Sequence, residues 1–500
     1  MRSKNAIKNL VIYLTYEVLV FVLGFIFPRY IILTYGSEVN GLTSTITRLL
    51  ALINLIQAGA VGAAIYQMYK PVADNDYETQ SAIIYSSKKY YNKITIIYLC
   101  LATIFGVFYS FYLKNENLSF FEILCSFAIL ASNGSFTLYF NSISDIFLSP
   151  HQKKYYLTIS SIFRQLVTYT LMTVVLFFKQ HFIFLYCSLL IGGVAGSLLN
   201  IYFFEKISHG LIKKKPQVKN YVISGRKYLM LSSIGKQAVV ASPQIIVTTF
   251  NGLAYASVFS IYAMIFTSMQ TLLNSIQLSV SAIFGNLVKS SYDEHIFEVY
   301  DVIQLFTILL GSIFVFCMGF LLIPFINIYV KDVNDINYLY PVLAYLIVAY
   351  TAFFTFETSF GYVATVYGLF KVTCKITLLF GCIGILASII SVYFWGMPFV
   401  MVGLLFYQFF CACATLFVLH KNVSWFRIER LFKRSLVLFT FSVLGIVLFH
   451  LFQSNIDSIL SWLLHGIVCF IMSCIVLYIY CLIFERKQLV VIKNYVKKLK

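Results

Sequence analysis

Charge is the scarce commodity in this chain. Asp, Glu, Lys and Arg make up 11% of its 500 residues, against about 25% in a soluble domain, so a soluble enzyme of this length is excluded. Acidic residues are the scarcer sign, 19 against 37 Lys and Arg. The basic residues fall in short clusters between apolar runs, with no basic domain to hold a duplex, so the net charge of +18 does not point to nucleic acid. Also missing are a GxxxxGK[ST] phosphate loop, an HExxH zinc motif and a GxSxG nucleophile turn. No CxxC pair occurs among the 11 cysteines, and Cys100, Cys187, Cys317, Cys411, Cys413 and Cys474 read as small core residues. The first apolar run follows Arg2, Lys4 and Lys8 but is too long for a signal peptide and lacks a small-residue cleavage site, which makes it a retained helix. These features predict no catalysis, no cofactor and no metal.

Hydrophobic residues are present in abundance, at 60%, with a mean hydropathy of +0.85. Runs of about 20 apolar residues, each able to cross roughly 30 Å of hydrocarbon, recur along the whole chain. The pattern predicts an all-α polytopic membrane protein of about 14 transmembrane helices. The spans are read at 10–33, 42–69, 94–113, 120–148, 155–178, 182–204 and 228–250, then 256–287, 302–329, 338–370, 376–395, 399–419, 436–452 and 459–484.

With a cytoplasmic N-terminus, alternate connections carry Lys70/Lys88/Lys89/Lys93, Lys153/Lys154, the cluster from Lys206 to Lys227, the cluster Lys421/Arg427/Arg430/Lys433/Arg434, and the tail from Arg486 to Lys500. The other side receives only Lys114, Lys179 and Lys331. Lys and Arg in short loops resist translocation, so both ends are expected in the cytoplasm. Exported connections (34–41, 114–119, 179–181, 330–337, 396–398 and 453–458) are too short for an external catalytic domain.

Pro28 preceding Gly36 in the first span, with Asn54 and Gln57 in the next, is echoed by Pro243 preceding Gly252, with Asn274 and Gln277. This echo, with the long basic loop between the sixth and seventh spans, predicts two six-helix lobes in a pseudo-twofold relation plus two C-terminal helices. The organisation is then 1–204 as the first lobe, 205–227 as a basic linker and 228–420 as the second lobe. A basic loop at 421–434, a terminal two-helix unit at 435–484 and a basic tail at 485–500 complete it.

Charges inside spans are costly, at least about 2.5 kcal/mol at a helix centre, and usually face a bundle interior or a water-filled cavity. They are Glu17, Arg29, Arg48, Asp145, Arg164, Lys236 and Glu357. Helical spacing groups Glu17 with Gly24 and Pro28, Arg48 with Gly59 and Gly62, Lys236 with Pro243, and Glu357 with Gly361, Ala364 and Gly368. By depth, Arg29 and Arg48 form an outer cationic tier, and Arg164 and Lys236 an inner one, as an anionic headgroup crossing the bilayer would need. Each also has a plainer reading: Arg29 and Arg48 as interfacial anchors, Arg164 and Lys236 as ion-pair partners of Glu17 or Asp145, and the Asn and Gln residues as interhelical hydrogen-bonding groups.

The opening Lys4-Asn5 to Pro28-Arg29, then Tyr35-Gly36-Ser37-Glu38-Val39-Asn40-Gly41-Leu42, Asn54-Leu55-Ile56-Gln57-Ala58-Gly59 and Tyr69-Lys70-Pro71, resembles bacterial O-antigen and capsule flippases of the Wzx type. These belong to the multidrug/oligosaccharidyl-lipid/polysaccharide (MOP) exporter superfamily. The resemblance implies a multi-pass protein of the bacterial inner membrane. Its cargo would be an undecaprenyl-diphosphate-linked oligosaccharide, moved from the cytoplasmic to the outer leaflet by alternating access. It also implies membrane lipids, a polysaccharide polymerase and a chain-length regulator as partners. Arg29, Arg48, Arg164 and Lys236 would line a cationic substrate cavity, with Glu17, Glu357 and Asp145 available for ion coupling, and the last two helices would flank the lipid tail. Two other functions compete. A cation-coupled multidrug exporter would favour carboxylates over arginines in its cavity, and a polysaccharide polymerase or ligase typically carries a large exported loop.

Overall fold

The structure is a computed structural model describing residues 2–57, 60–113, 117–209, 227–290, 292–452 and 456–490. Among these residues it is helical, without strands. In chain order the helices are α1 (Arg2–Tyr35), α2 (Ser37–Ile53), α3 (Ala60–Ala73), α4 (Tyr77–Leu113), α5 (Phe120–Leu148), α6 (Tyr155–Phe177), α7 (Ile183–Ser208) and α8 (Lys227–Asn251). There follow α9 (Leu253–Ser290), α10 (Asp293–Tyr329), α11 (Pro341–Val366), α12 (Phe370–Trp395), α13 (Met401–Asn422), α14 (Ile428–Phe452) and α15 (Ile459–Phe484). Thirteen segments are long and apolar enough to cross a membrane. Helix α8, at 25 residues, is long enough as well, but Lys236, Gln237 and Gln244 dilute its apolar character.

The second expected span is not one helix. Residues Asn54–Gln57 form a 3-10 turn that ends α2, and α3, of 14 residues, is too short to cross alone. Gly62 therefore stands on a different helix from Arg48 and is exposed; Gly59 lies outside the described residues. The first exported connection is also shorter than expected. Helix α1 runs to Tyr35 and α2 starts at Ser37, so Gly36 alone makes the turn, at φ 84° and ψ 172°, a region essentially reserved for glycine. Gly252, at φ 90°, makes the same one-residue turn between α8 and α9. The Pro28–Gly36 and Pro243–Gly252 echo thus marks one local structure built twice.

Two compact units divide the chain. The first comprises Met1–Gln237 with Gly252–Ser257, the second Ala238–Asn251 with Val258–Lys500. In the first unit α6 packs on α7, α4 on α5, α5 on α7, α1 on α6 and α2, and α3 on α4 and α5. Glycines permit the closest approach. A Cβ on Gly192 would lie 1.9 Å from Thr168 Oγ1, and one on Gly196 would lie 2.7 Å from Arg164 Cβ, so this small-xxx-small pair seats α7 on α6. Residues 252–257 dock on α2 in the same manner, with Asn40 donating to Ser257 Oγ at 2.8 Å and Gly41 against the Leu253 carbonyl.

In the second unit α12 packs on α13, α11 on α13 and α10, and α14 on α10 and α11. Helix α15 makes its main contact with α10, through a core that includes Leu321, Cys469 and Leu477. Outward faces are apolar as well: Leu464, Ile467, Val468, Ile471 and Ile475 of α15 are all exposed, as lipid-facing residues should be. The same fact corrects the reading of the cysteines. Cys100, Cys125, Cys382 and Cys413 are exposed, because in a membrane helix an apolar neighbourhood does not mean a core position.

Cross-loop contacts test the alternation of connections. At one end of the first unit, Asn9 donates to the Gln152 carbonyl at 3.3 Å and accepts from the Tyr155 amide at 2.7 Å. At the other end Tyr35 donates to the Gln180 carbonyl, and His181 meets Glu122 at 3.0 Å beside the Ser119–Glu122 capping box of α5. In the second unit Trp425 donates to Tyr367 at 2.6 Å at one end, and Tyr262 donates to the Tyr338 carbonyl at 3.0 Å at the other. In the first unit these contacts join connections of the same parity, as strictly alternating spans require, whereas Tyr262 stands within α9 and ties that helix to the 330–340 connection. Outside the spans, Asp76 caps α4, and hydrogen bonds from the Thr79 side chain and amide hold its carboxyl below the usual range.

Candidate functional site

All four span cations belong to the first unit: Arg29 on α1, Arg48 on α2, Arg164 on α6 and Lys236 on α8. The one-residue turn at Gly36 changes their depth. Because α2 begins at Ser37, Arg48 sits about 17 Å along its helix, near mid-membrane rather than in an outer tier. Arg164 lies about 14 Å into α6, Lys236 about 14 Å into α8, and Arg29 only about 9 Å from the end of α1. Arg29, Arg48 and Arg164 are half-buried and Lys236 is exposed.

Arg48 stands on the open face of α2. Thr43, Ser44, Thr47 and Ala51 share that side at half or full exposure, while Thr45, Ile46, Leu49 and Leu50 are buried behind it. Thr43 meets Tyr186 of α7 at 3.1 Å, which sets the rotation of α2. The stem of Arg164 lies over the bare Cα of Gly196, a path that any larger residue there would block. Phe27 of α1 and Tyr169 of α6 pack as a tilted pair with ring centroids 4.3 Å apart, joining the two helices that carry Arg29 and Arg164.

Neither Arg48 nor Arg164 forms an ion pair or hydrogen bond with a described residue. The ion pairs to Glu17 or Asp145 that would have made Arg164 and Lys236 structural are not formed among the described residues. Asp145 instead takes a hydrogen bond from Ser149 and lies 3.8 Å from Lys154, closing the end of α5. Half-buried guanidinium groups without a carboxylate can bind an anion by charge-assisted, bidentate hydrogen bonds.

The acids differ in setting. Glu17 is half-buried on α1, and on the face it shares with Pro28, Gly24 has no atom within 4 Å of where a Cβ would stand, so that face is open. Glu357, in the second unit, folds its carboxylate back over Gly361, where a Cβ would come within 2.5 Å of Oε1. Ala364 shares that face and is buried, whereas Glu357 and Gly361 are half-buried, and Gly368 is not on it. It lies beyond the end of α11 at φ 71°. Lys236 is exposed while Pro243 is buried, so their shared face is not one wall.

Of the interhelical amides, Gln57 accepts from Ser142 at 3.2 Å; from α9, Gln270 donates to Tyr350 at 2.8 Å, and among the described residues Asn274 and Gln277 show no such bond. Sequence reasoning also counted Arg430 and Arg434 only as orienting charges. The structure buries Arg434 between Asp301 and Glu485. Among the described residues no group of three or more His, Cys, Asp and Glu could hold a metal ion.

No protein-family profile and no curated protein matches the sequence. Solved structures do match the fold. The lipid II flippase MurJ in an inward closed conformation is 16% identical, covers 95% of this chain and 100% of its own, and superposes with a TM-score of 0.62. An inward-facing multidrug resistance MATE family transporter of the MOP superfamily is 13% identical over 86% of this chain and 99% of its own, with a TM-score of 0.61. A MOP superfamily transporter from Pyrococcus furiosus, described as having a binding pocket of reversed polarity, is 11% identical over 84% and 94%, with a TM-score of 0.53. The chain therefore has the fold that these transporters share.

Proposed function

We propose that this protein is a flippase that moves undecaprenyl-diphosphate-linked oligosaccharide repeat units from the cytoplasmic to the outer leaflet of a bacterial inner membrane, by alternating access, for surface polysaccharide assembly. The observation that carries the proposal is the pair of unneutralised guanidinium groups, Arg48 and Arg164, near mid-membrane depth in one unit. The fold shared with a lipid II flippase supports it. Arg48 and Arg164 hold the diphosphate through charge-assisted hydrogen bonds, Arg29 receives it nearer the exported end and Lys236 adds charge at the open side, while the polyprenyl chain stays in lipid.

An inside-negative potential contributes about 2.3 kcal/mol per charge per 100 mV, so outward passage of a dianion across the full field gains roughly 4 to 5 kcal/mol. The emptied, cationic site must then return against the same field. Glu17 and Glu357 are the carboxylates placed to take up a cation or proton on that stroke. Glu357 also favours the second reading, a cation-coupled multidrug exporter, but Arg48 and Arg164, two guanidinium groups in one unit without a described carboxylate partner, suit an anionic cargo.

The experiment compares a deletion strain of the native host with strains carrying Arg48→Ala, Arg164→Ala or Lys236→Ala, measuring lipid-linked repeat units and surface glycan. Loss of surface glycan with cytoplasmic-facing repeat units accumulating, in protein inserted at normal levels, is the expected result. A deletion strain with normal glycan and altered drug tolerance would transfer the proposal to the exporter reading.

A further inference from the structure

Helices α14 and α15 are consecutive, yet each makes its main contact with earlier helices of the second unit: α14 with α10 and α11, and α15 with α10. A single buried cluster ties the three together. Arg434 of α14 is 1% exposed. Its Nη1 donates to the Asp301 carbonyl at 2.9 Å and to Gln304 Oε1 at 2.8 Å, and lies 2.9 Å from Asp301 Oδ1, all on α10. Its Nε and Nη2 donate to the two carboxylate oxygens of Glu485, just past α15, at 2.7 and 2.8 Å.

Asp301, 5% exposed, is shared further. Its Oδ2 accepts from Arg430 Nη1 at 2.9 Å and from Gln488 Nε2 at 2.7 Å. Two guanidinium groups and two carboxylates thus cancel, with Arg434 and Asp301 nearly closed to water and Arg430 at the open rim. Beside it, Tyr300 of α10 packs against Trp425 and Phe426 of the α13–α14 connection, with centroids 5.2 and 5.6 Å apart, and Arg427 lies over Phe297 at 5.1 Å. At the far end of α15 the only comparable polar tie among the described residues is Trp462 Nε1 donating to the Leu321 carbonyl at 3.1 Å. Between the two ends, the packing of α15 on α10 runs through an apolar core that includes Cys469 and Leu477, and most of its surface faces outward.

We propose that Arg434 is a positioning residue that clasps the last two membrane helices to α10, so that α14 and α15 travel with α10 as one body rather than as a detachable pair. The geometry is selective: a lysine has one ammonium and cannot serve both the Asp301 carboxylate and the two oxygens of Glu485 at once. Opening the clasp strands a charge where water is nearly excluded, so the closed state is strongly preferred. The C-terminal turn carrying Glu485 and Gln488 is therefore the pin of this assembly, and the clasp is independent of what the protein carries.

The test is a spin-label distance measurement on the purified full chain in nanodiscs, with the native cysteines replaced. Labels go on the outward-facing positions 306 of α10 and 478 of α15 (Phe306→Cys, Tyr478→Cys), and a control pair on α12 and α13 (Leu386→Cys, Phe417→Cys). The expected result is a narrow α10–α15 distribution in the parent that broadens and lengthens in Arg434→Met and, to a smaller extent, in Glu485→Gln, while the control pair is unchanged. Glu485→Gln keeps the Asp301 partnership and is the milder variant should Arg434→Met not fold. An α10–α15 distribution unaltered in Glu485→Gln would overturn the proposal, and so would equal broadening of the control pair, which would make Arg434 a general folding determinant.

Discussion

At the scale of single residues, the distinction that matters is between charges with a partner and charges without one. Arg434 and Arg48 are both arginines in apolar helices, but the first is surrounded by acceptors from two other helices and the second meets no described carboxylate. Nothing in the local sequence separates them. Asp301 and Glu485 lie well over a hundred and about fifty residues from Arg434 respectively, so its neutralisation was not legible, and the run from Lys421 to Arg434 read as one orienting cluster. The unpaired arginines carry the functional prediction. Removing a charge-assisted hydrogen bond to a diphosphate costs about 1.5 to 3 kcal/mol, so Arg48→Ala and Arg164→Ala should each slow transport roughly tenfold or more. Lysine at either position keeps the charge but loses the fork, and should restore only part of the rate. Initial transport rates at matched protein levels check this, and a rate unchanged in both alanine variants would remove these residues from the site.

At the scale of helices, long and strongly apolar elements were the legible ones. The apolar runs at 120–148 and 459–484 lie where α5 and α15 are found, and the structure adds Ser119 and Ser458 as the side-chain caps at their starts. What escaped was a turn and a break. Gly36 reverses the chain alone, and Asn54–Gln57 interrupts an otherwise apolar stretch without a proline. The turn at Gly36 moves Arg48 deeper than the sequence reading by more than a helical turn, and the break moves Gly62 onto another helix. Glycines give a sharper test at this scale. Gly196 has Arg164 Cβ 2.7 Å from where a Cβ would stand, whereas Gly24 has nothing within 4 Å. Gly196→Val should part α6 from α7, lower the melting temperature by several degrees and misplace Arg164. Gly24→Ala should be neutral or stabilising by about 0.5 to 1 kcal/mol. Thermal unfolding of the two purified variants checks the pair, and equal effects would contradict the packing described here.

At the scale of the whole molecule, composition and run length were enough for the class of protein, since with 11% charged residues and uninterrupted apolar runs of about 20 residues the backbone is satisfied in a bilayer as helices, not as the alternating strands of a barrel. Cargo is not written at this scale. The same fold serves a flippase and drug transporters among the matched structures, so the chemistry of the site must decide. Basic residues on alternate connections predict the orientation, and the cross-loop contacts sort the connections of the first unit into two ends. A fluorescent protein fused after Lys500 should therefore fluoresce and alkaline phosphatase fused there should be inactive; the reverse pattern would invert the topology and the direction of transport.

The central claim is tested most directly in vesicles that contain only the purified protein, phospholipid and a polyprenyl-diphosphate oligosaccharide. Arrival of the sugar at the outer face is followed with an impermeant lectin, with and without an imposed membrane potential. The account predicts protein-dependent flipping, faster when the compartment of origin is negative, and roughly tenfold slower or worse with Arg48→Ala and Arg164→Ala combined. Flipping no faster than in protein-free vesicles, or a rate indifferent to both arginines, would contradict it.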